Sequence, residues 1–146
     1  MGRSRGGLTT KIHVLVDACG LPILLKITQG QAHDGRSAQD MLGTVGRGDV
    51  LVADRAYDSN ALRETLAARG ARANVRAMPN RLKPPRFNKR LYRKRNLVER
   101  FFNKLKHFRA VATRYEKRAS NYLALVKLAS IRIWLRHNES VTQCAL

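Results

Sequence analysis

Acidic residues are scarce in this 146-residue sequence: 10 Asp and Glu stand against 29 Lys and Arg, a formal net charge of +19. A chain so poor in negative charge repels itself unless an anion is near. Nucleic acid is the expected partner, ahead of an acidic membrane surface. Cysteine is nearly absent, and Cys19 and Cys144 make no disulfide framework, which fits a reducing cytoplasm. Long apolar runs are missing, so no membrane-spanning segment is expected. The opening MGRSRGGLTTK is basic but leads into no signal-like apolar stretch, so secretion is not expected either. The four histidines and two cysteines lack zinc-ligand spacing. GGLTTK lacks the second Gly and the Lys-Ser/Thr ending of a phosphate-binding loop, and no serine sits in a nucleophile elbow. No internal repeat is present. What is there is a 44% hydrophobic content, enough to exclude a wholly disordered chain, at a length that suits one domain.

The cations are unevenly placed. Residues 1–64 hold 8 basic and 7 acidic residues, whereas residues 65–146 hold 21 and 3. Between Arg81 and Tyr115 there are 13 Lys or Arg and one acid, Glu99. The first part reads as an ordinary fold and the second as an anion-binding surface. DNA binding is expected mainly in residues 79–118.

Residues 1–10, rich in Gly, Ser, Arg and Thr, read as a loop. Lys11–Val16 and Pro22–Thr28 read as strands of an antiparallel hairpin turned by DACGLP. GQAHDG (Gly30–Gly35) reads as a loop, and Ser37–Leu42 as a short helix broken by Gly43–Gly48. Asp49–Ala53 is short, continuous and apolar, like a strand buried on both faces. Ser59 can cap a helix to about Ala68, ended by Gly70. Ala71–Met78 suits a further strand and 79–90 a basic loop. A long helix is expected from about Leu91, with Leu97, Phe101, Leu105, Phe108 and Ala112 on its apolar face. A last helix is expected over about Asn121–Arg136, so that residues 91–138 form a helical C-terminal region. The order is that of a mixed α/β fold.

Two carboxylates hold chemical interest. Asp54 follows the apolar strand, where open α/β sheets put their sites. The plainer alternative is an aspartate capping a turn. Glu99 falls with Tyr92, Arg95 and Lys106 within one narrow arc at about 100° per residue. Its plainer alternatives are a solvated helix face or a local ion pair with Arg95 or Lys106.

Tyr92-x2-Arg95-x3-Glu99-x6-Lys106 resembles the Y-x2-R-x3-E-x6-K signature of the DDE transposases of bacterial insertion sequences. The stretch YRKRNLVERFFNKLKHFRAVATRYEK is similar to their C-terminal catalytic region. GRSRGGLTTKIHVLVDACGLP, GQAHDG and VADRAYDSNALR resemble other blocks of the same enzymes, in the same order. The nearest resemblance is to the insertion-sequence-five family of the wider IS-four-like group, and it runs to about Ser140.

The resemblance implies an RNase H-like mixed sheet with flanking helices, one catalytic domain over 1–146. In that fold two aspartates and a glutamate hold two divalent cations, Mg²⁺ or Mn²⁺. By position Asp54 is the second carboxylate and Glu99 the third, so the two are expected to approach one another. Two cations about 4 Å apart activate the attacking oxygen and stabilise the leaving one in phosphodiester cleavage and strand transfer. The resemblance also puts Arg95 and Lys106 near DNA phosphates, with Tyr92 stacking or hydrogen-bonding beside them. Lys94, Lys104 and Arg109 are expected to add DNA-binding charge. The implied DNA is double-stranded, the element's terminal repeats and its target. A homo-oligomer on DNA and a nucleoid-associated cytoplasmic location follow from the same resemblance.

This sequence departs from the family in one respect that matters. The family's first aspartate lies on a first strand upstream of GRSRGG, and no position here matches it. Asp17 lies on what would be the family's second strand and does not match that motif, and Asp34 belongs to a different block, so neither takes its place. The chain is therefore expected to lack the first strand, to be inactive alone, and to act with an upstream transposase segment or a full-length transposase. A smaller departure is Ala56, where relatives often carry Gly. The competing reading is a non-enzymatic basic nucleic-acid-binding protein.

Overall fold

A computed structural model gives the fold and describes residues 2–4, 7–30, 39–113 and 116–143. The GQAHDG loop beyond Gly30, Asp34, the start of the helix expected at Ser37, and Cys144 lie outside the described residues. In chain order the elements are β1 (Gly2–Ser4), β2 (Gly7–Val16), β3 (Pro22–Gln29), β4 (Val50–Ala53), α1 (Asn60–Ala68), β5 (Arg72–Val75), α2 (Lys89–Tyr92), α3 (Asn96–Lys106), α4 (Arg109–Ala112) and α5 (Ala119–Gln143). Three 3₁₀ turns fall at Leu42–Thr44, Arg55–Tyr57 and Arg93–Arg95. The mixed α/β class is as expected. The chain forms two compact units, Met1–Gly30 with Leu97–Leu146, and Gln31–Asn96.

In the first unit β1, β2 and β3 form an antiparallel sheet in that order. The expected loop over residues 1–10 is thus largely strand. Local composition favoured a loop, but the ladder Gly2↔Thr9, Arg3↔Leu8, Ser4↔Gly7 satisfies backbone groups that a free β2 edge would leave unpaired. The β2–β3 turn forms as expected. The Asp17 carboxylate accepts from the Cys19 and Leu21 amides at 2.8 and 2.9 Å, and Gly20 takes φ +82°, a left-handed conformation that side chains resist. Side chains alternate along the hairpin, and Ile12, Val14, Val16, Leu25 and Ile27 pack on the core. That core is built from Leu21, Phe101, Leu105, Val111, Tyr122, Val126, Ala129 and Ile133. The Trp134 indole donates to the Pro22 carbonyl at 2.9 Å, tying α5 to the start of β3.

The single long helix expected from Leu91 is instead α2, a 3₁₀ turn, α3 and α4. At His107–Phe108 the chain turns, and Phe108 is extended at φ −87°, ψ 101°. A continuous helix would bury Ala112 beside Leu105 and Phe108. The turn shifts the phase, so Val111 is buried and Ala112 is exposed. The apolar spacing holds as far as Phe108, which packs on the core, and fails at Ala112, because periodicity extends one helix and does not register the break. The last helix extends beyond its expected ends at both termini, yet no helix of the described residues is long and apolar enough to cross a membrane.

In the second unit β4 and β5 pair in parallel, Val50↔Arg72 to Ala53↔Val75. Parallel neighbours need a crossover, and α1 supplies it. The Ser59 hydroxyl caps α1 by accepting from the Leu62 amide at 3.1 Å, and Gly70 closes it at φ +71°. Leu62 and Leu66 lie one turn apart on its inner face and are buried with Leu42, Val45, Ala71 and Val75. β4 is half-buried along its length rather than buried on both faces as expected. Its ladder partner among the described residues is β5, which covers one edge and neither face.

Candidate functional site

Asp54 stands where β4 ends, and its backbone sits at the N-cap of the Arg55–Tyr57 turn. Its side chain makes no capping hydrogen bond, so the turn-capping alternative is set aside. The carboxylate reaches instead to residues far along the chain. Tyr92 donates its hydroxyl to Asp54 Oδ1 at 3.4 Å. Arg95 Nη1 lies 3.0 Å from Oδ1 and 3.3 Å from Oδ2. The Arg95 guanidinium also lies over the Tyr92 ring, 5.8 Å from its centre. The 3₁₀ turn at Arg93–Arg95 accounts for this pairing, since its tight winding stacks side chains three residues apart. Phe87 packs its ring against Tyr92 at 5.0 Å and steadies it from the loop side.

The site stays open. The Asp54 side chain is 51% exposed and that of Arg95 34%. At such exposure the ion pair is worth only about 0–1 kcal/mol, so a stronger ligand for the carboxylate or the guanidinium exchanges with it easily.

A second aspartate of the same DRAYDS stretch has the opposite character. The Asp58 side chain is fully buried. Arg63 donates to its Oδ1 at 2.8 Å, and Arg81 and the Met78 amide donate to its Oδ2 at 3.0 and 2.9 Å. Burial pushes its carboxyl up, but the Met78 amide and the Arg63 and Arg81 guanidiniums together outweigh this and hold it below the ordinary aspartate value. Asp58 thereby fastens the 78–81 loop to α1.

The meeting at Asp54 depends on a residue that sequence reasoning passed over. Asn74 of β5 is buried, donates its amide to the Asn88 carbonyl at 3.0 Å and accepts from the Asn88 amide at 2.8 Å. Asn88 caps α2 in turn, its side chain accepting from the Arg90 and Leu91 amides. The start of the segment bearing Tyr92 and Arg95 is thus pinned to the strand beside β4. Asn88 carried a legible signal, an N-cap residue before a helix, whereas Asn74 carried none, because its partner is 14 residues away in an irregular loop.

The other expected site residues are placed as follows. Lys94 is exposed on the 3₁₀ turn beside Arg95. Glu99 and Lys106 are exposed on α3, opposite the buried Phe101 and Leu105, Lys104 is exposed to one side of that face, and Arg109 is exposed at the start of α4. Asp54, Tyr92 and Arg95 belong to the second unit, and Glu99, Lys104, Lys106 and Arg109 to the first.

The family model for the transposase DDE domain matches residues 2–134. The chain belongs to the transposase DDE domain family. It is 43% identical over 131 residues to a Brucella ovis protein named as a transposase for insertion sequence element IS6501. That match covers 88% of this chain and the whole of the relative. No solved structure matches the chain.

DDE transposase domains typically use divalent cations, which take hard oxygen ligands. Among the described residues no three His, Cys, Asp or Glu side chains stand close enough together to hold one. Asp54 has the right donor atoms, but its nearest charged neighbour is Arg95, and Asp58 is consumed by its own cations. The described residues do not by themselves fit a metal site. The chemistry legible here is that of an open carboxylate with an adjoining guanidinium and phenol.

Proposed function

We propose that this chain is the catalytic region of an insertion-sequence transposase of the insertion-sequence-five family, an RNase H-like domain acting on double-stranded DNA. The observation that carries the reading is the meeting of Asp54 with Tyr92 and Arg95, 38 and 41 residues downstream. A protein that merely coats phosphate has no use for a carboxylate held between a tyrosine and an arginine. A family of enzymes that cut phosphodiesters has one. Kinship with the transposase DDE domain and the name of the Brucella ovis relative support the same reading.

In this reading Asp54 and Glu99 are two of three catalytic carboxylates. Arg95 serves as a phosphate clamp that releases Asp54 when DNA arrives, because a phosphate offers the guanidinium the same bidentate geometry as a carboxylate. Tyr92 orients both. Lys94, Lys104, Lys106 and Arg109 carry duplex backbone in residues 79–118. The third carboxylate comes from an upstream transposase segment or a full-length transposase, and Mg²⁺ or Mn²⁺ binds only when it is supplied.

The test is incubation with terminal-repeat DNA and Mg²⁺ or Mn²⁺, with the chain alone and joined to a segment carrying an Asp-Ser/Gly-Thr strand. No cleavage alone and cleavage once joined, lost in Asp54→Ala and in Glu99→Gln, is the expected pattern. Cleavage that survives Asp54→Ala removes Asp54 from the site. A joined protein that binds DNA but never cuts favours a basic DNA-binding protein.

A further inference from the structure

The first unit holds a groove formed by residues of its own. Lys104 and His107, at the end of α3, stand on one wall, and Arg132, Arg136 and His137 of α5 on the other. Phe108 and the buried Ile133 supply apolar surface between them. Both pack in the core of that unit, so the walls rest on rigid elements. Ile133, Arg136, His137 and Ser140 follow at steps of three, one and three, which is one face of a helix. The groove has a volume of about 490 Å³, more than a lone phosphate needs and enough for a phosphate with its flanking sugars.

Among the described residues no acid lines this groove. Lys104, Arg132 and Arg136 have no ion pair among the described residues. Glu139, the acid of α5, stands outside the lining. A basic protein commonly carries cations on convex, solvated helix faces, where they lie far apart. Here two elements bring three formal charges around one concavity, where their repulsion costs stability that an anion offsets. Arginine forks suit phosphate oxygens in particular.

We propose that this groove is a second duplex-binding site, in which Arg132 and Arg136 each neutralise a backbone phosphate and Lys104 flanks them. The proposal rests on reading the chain as a protein that acts on DNA. It extends that reading to α5, beyond the 79–118 segment in which the charge is densest.

The test is the salt dependence of duplex binding by the full chain, compared with an Arg132→Gln, Arg136→Gln pair and an Arg132→Lys, Arg136→Lys pair. Each neutralised phosphate contributes about 0.9 to the slope of log affinity against log salt, so the Gln pair is expected to flatten it by about 1.8. The Lys pair keeps the charge and the slope. A steep wild-type slope that the Gln pair leaves unchanged overturns the groove alone and leaves the DNA reading standing. A wild-type chain with no salt-dependent binding overturns both. Circular dichroism checks the fold, and if the Gln pair is unfolded, Arg136→Gln alone is read in its place, with an expected flattening of about 0.9. Calorimetric titration with inorganic pyrophosphate separates the sources of phosphate. Micromolar binding that the Gln pair abolishes, with an unchanged duplex slope, marks a free-anion site and overturns the duplex occupant.

Discussion

Asp54 and Asp58 are four residues apart in one stretch, and their surroundings give them opposite roles. Asp54 is half-exposed and held by a weak ion pair, so Asp54→Ala is expected to change unfolding free energy by about 1 kcal/mol or less. Asp58 is buried between two guanidiniums, and Asp58→Ala removes the carboxylate that both pair with, leaving Arg63 only the Val75 carbonyl and Arg81 only Asn60, at a cost of about 3 kcal/mol. Urea denaturation of the two variants checks the contrast, and equal losses would mean that the roles are misassigned. The acid limb of stability carries the same mark. The folded Asp58 carboxyl lies below the ordinary value of 3.8, so its contribution is complete above that value. It is lost as pH falls through the lower, folded value. Unfolding free energy followed from pH 6 down to pH 2 should fall less steeply in Asp58→Asn than in the native chain.

At the scale of the element, the second unit is a β4–α1–β5 crossover with a short helical segment pinned to it by one amide. Asn74→Ala removes two hydrogen bonds to the Asn88 backbone and takes the partner from its N–H, while its carbonyl keeps the Tyr92 amide, an expected cost of about 1–3 kcal/mol. Amide hydrogen exchange should then quicken at Asn88 and through α2, while α1, capped by Ser59, keeps its protection. Exchange that quickens equally in α1 and α2 would show that Asn74 holds the unit as a whole and not the Tyr92–Arg95 segment. The elements also show where sequence reading succeeds. The β2–β3 hairpin and α1 were legible because their signals are local. DACGLP supplies its own turn bonds, and Ser59 and Gly70 mark the ends of an amphipathic helix. The first ten residues and the long helix were misjudged for a shared reason. A ladder partner overrode glycine-rich composition in one, and core packing tolerated backbone breaks in the other.

Across the whole molecule the dominant quantity is charge, +19 in total with +18 of it in residues 65–146. Duplex binding is expected to weaken steeply with salt. Lys94 and Lys104 are both exposed, and a Lys94→Ala, Lys104→Ala pair should reduce the log–log slope by about 1.8 with little change in thermal stability. Fluorescence anisotropy at several salt concentrations reads the slope. A flat salt response of the native chain would contradict electrostatic binding altogether.

The sequence by itself determined the mixed α/β class, the crowding of cations after residue 65, and the spacing of Tyr92, Arg95, Glu99 and Lys106. Each is written within a few residues or follows from counting. It also put Asp54 at a strand end, because a short apolar run closed by a polar residue is a local signal. Only the tertiary structure decided that Tyr92 and Arg95 close on Asp54, that Asp58 is buried and fully paired, and that Asn74 fixes the segment between them. Those outcomes depend on β4 lying beside β5 and on where the 76–88 loop returns to the strands. The partners involved stand between 5 and 41 residues apart, and no local propensity records such distances.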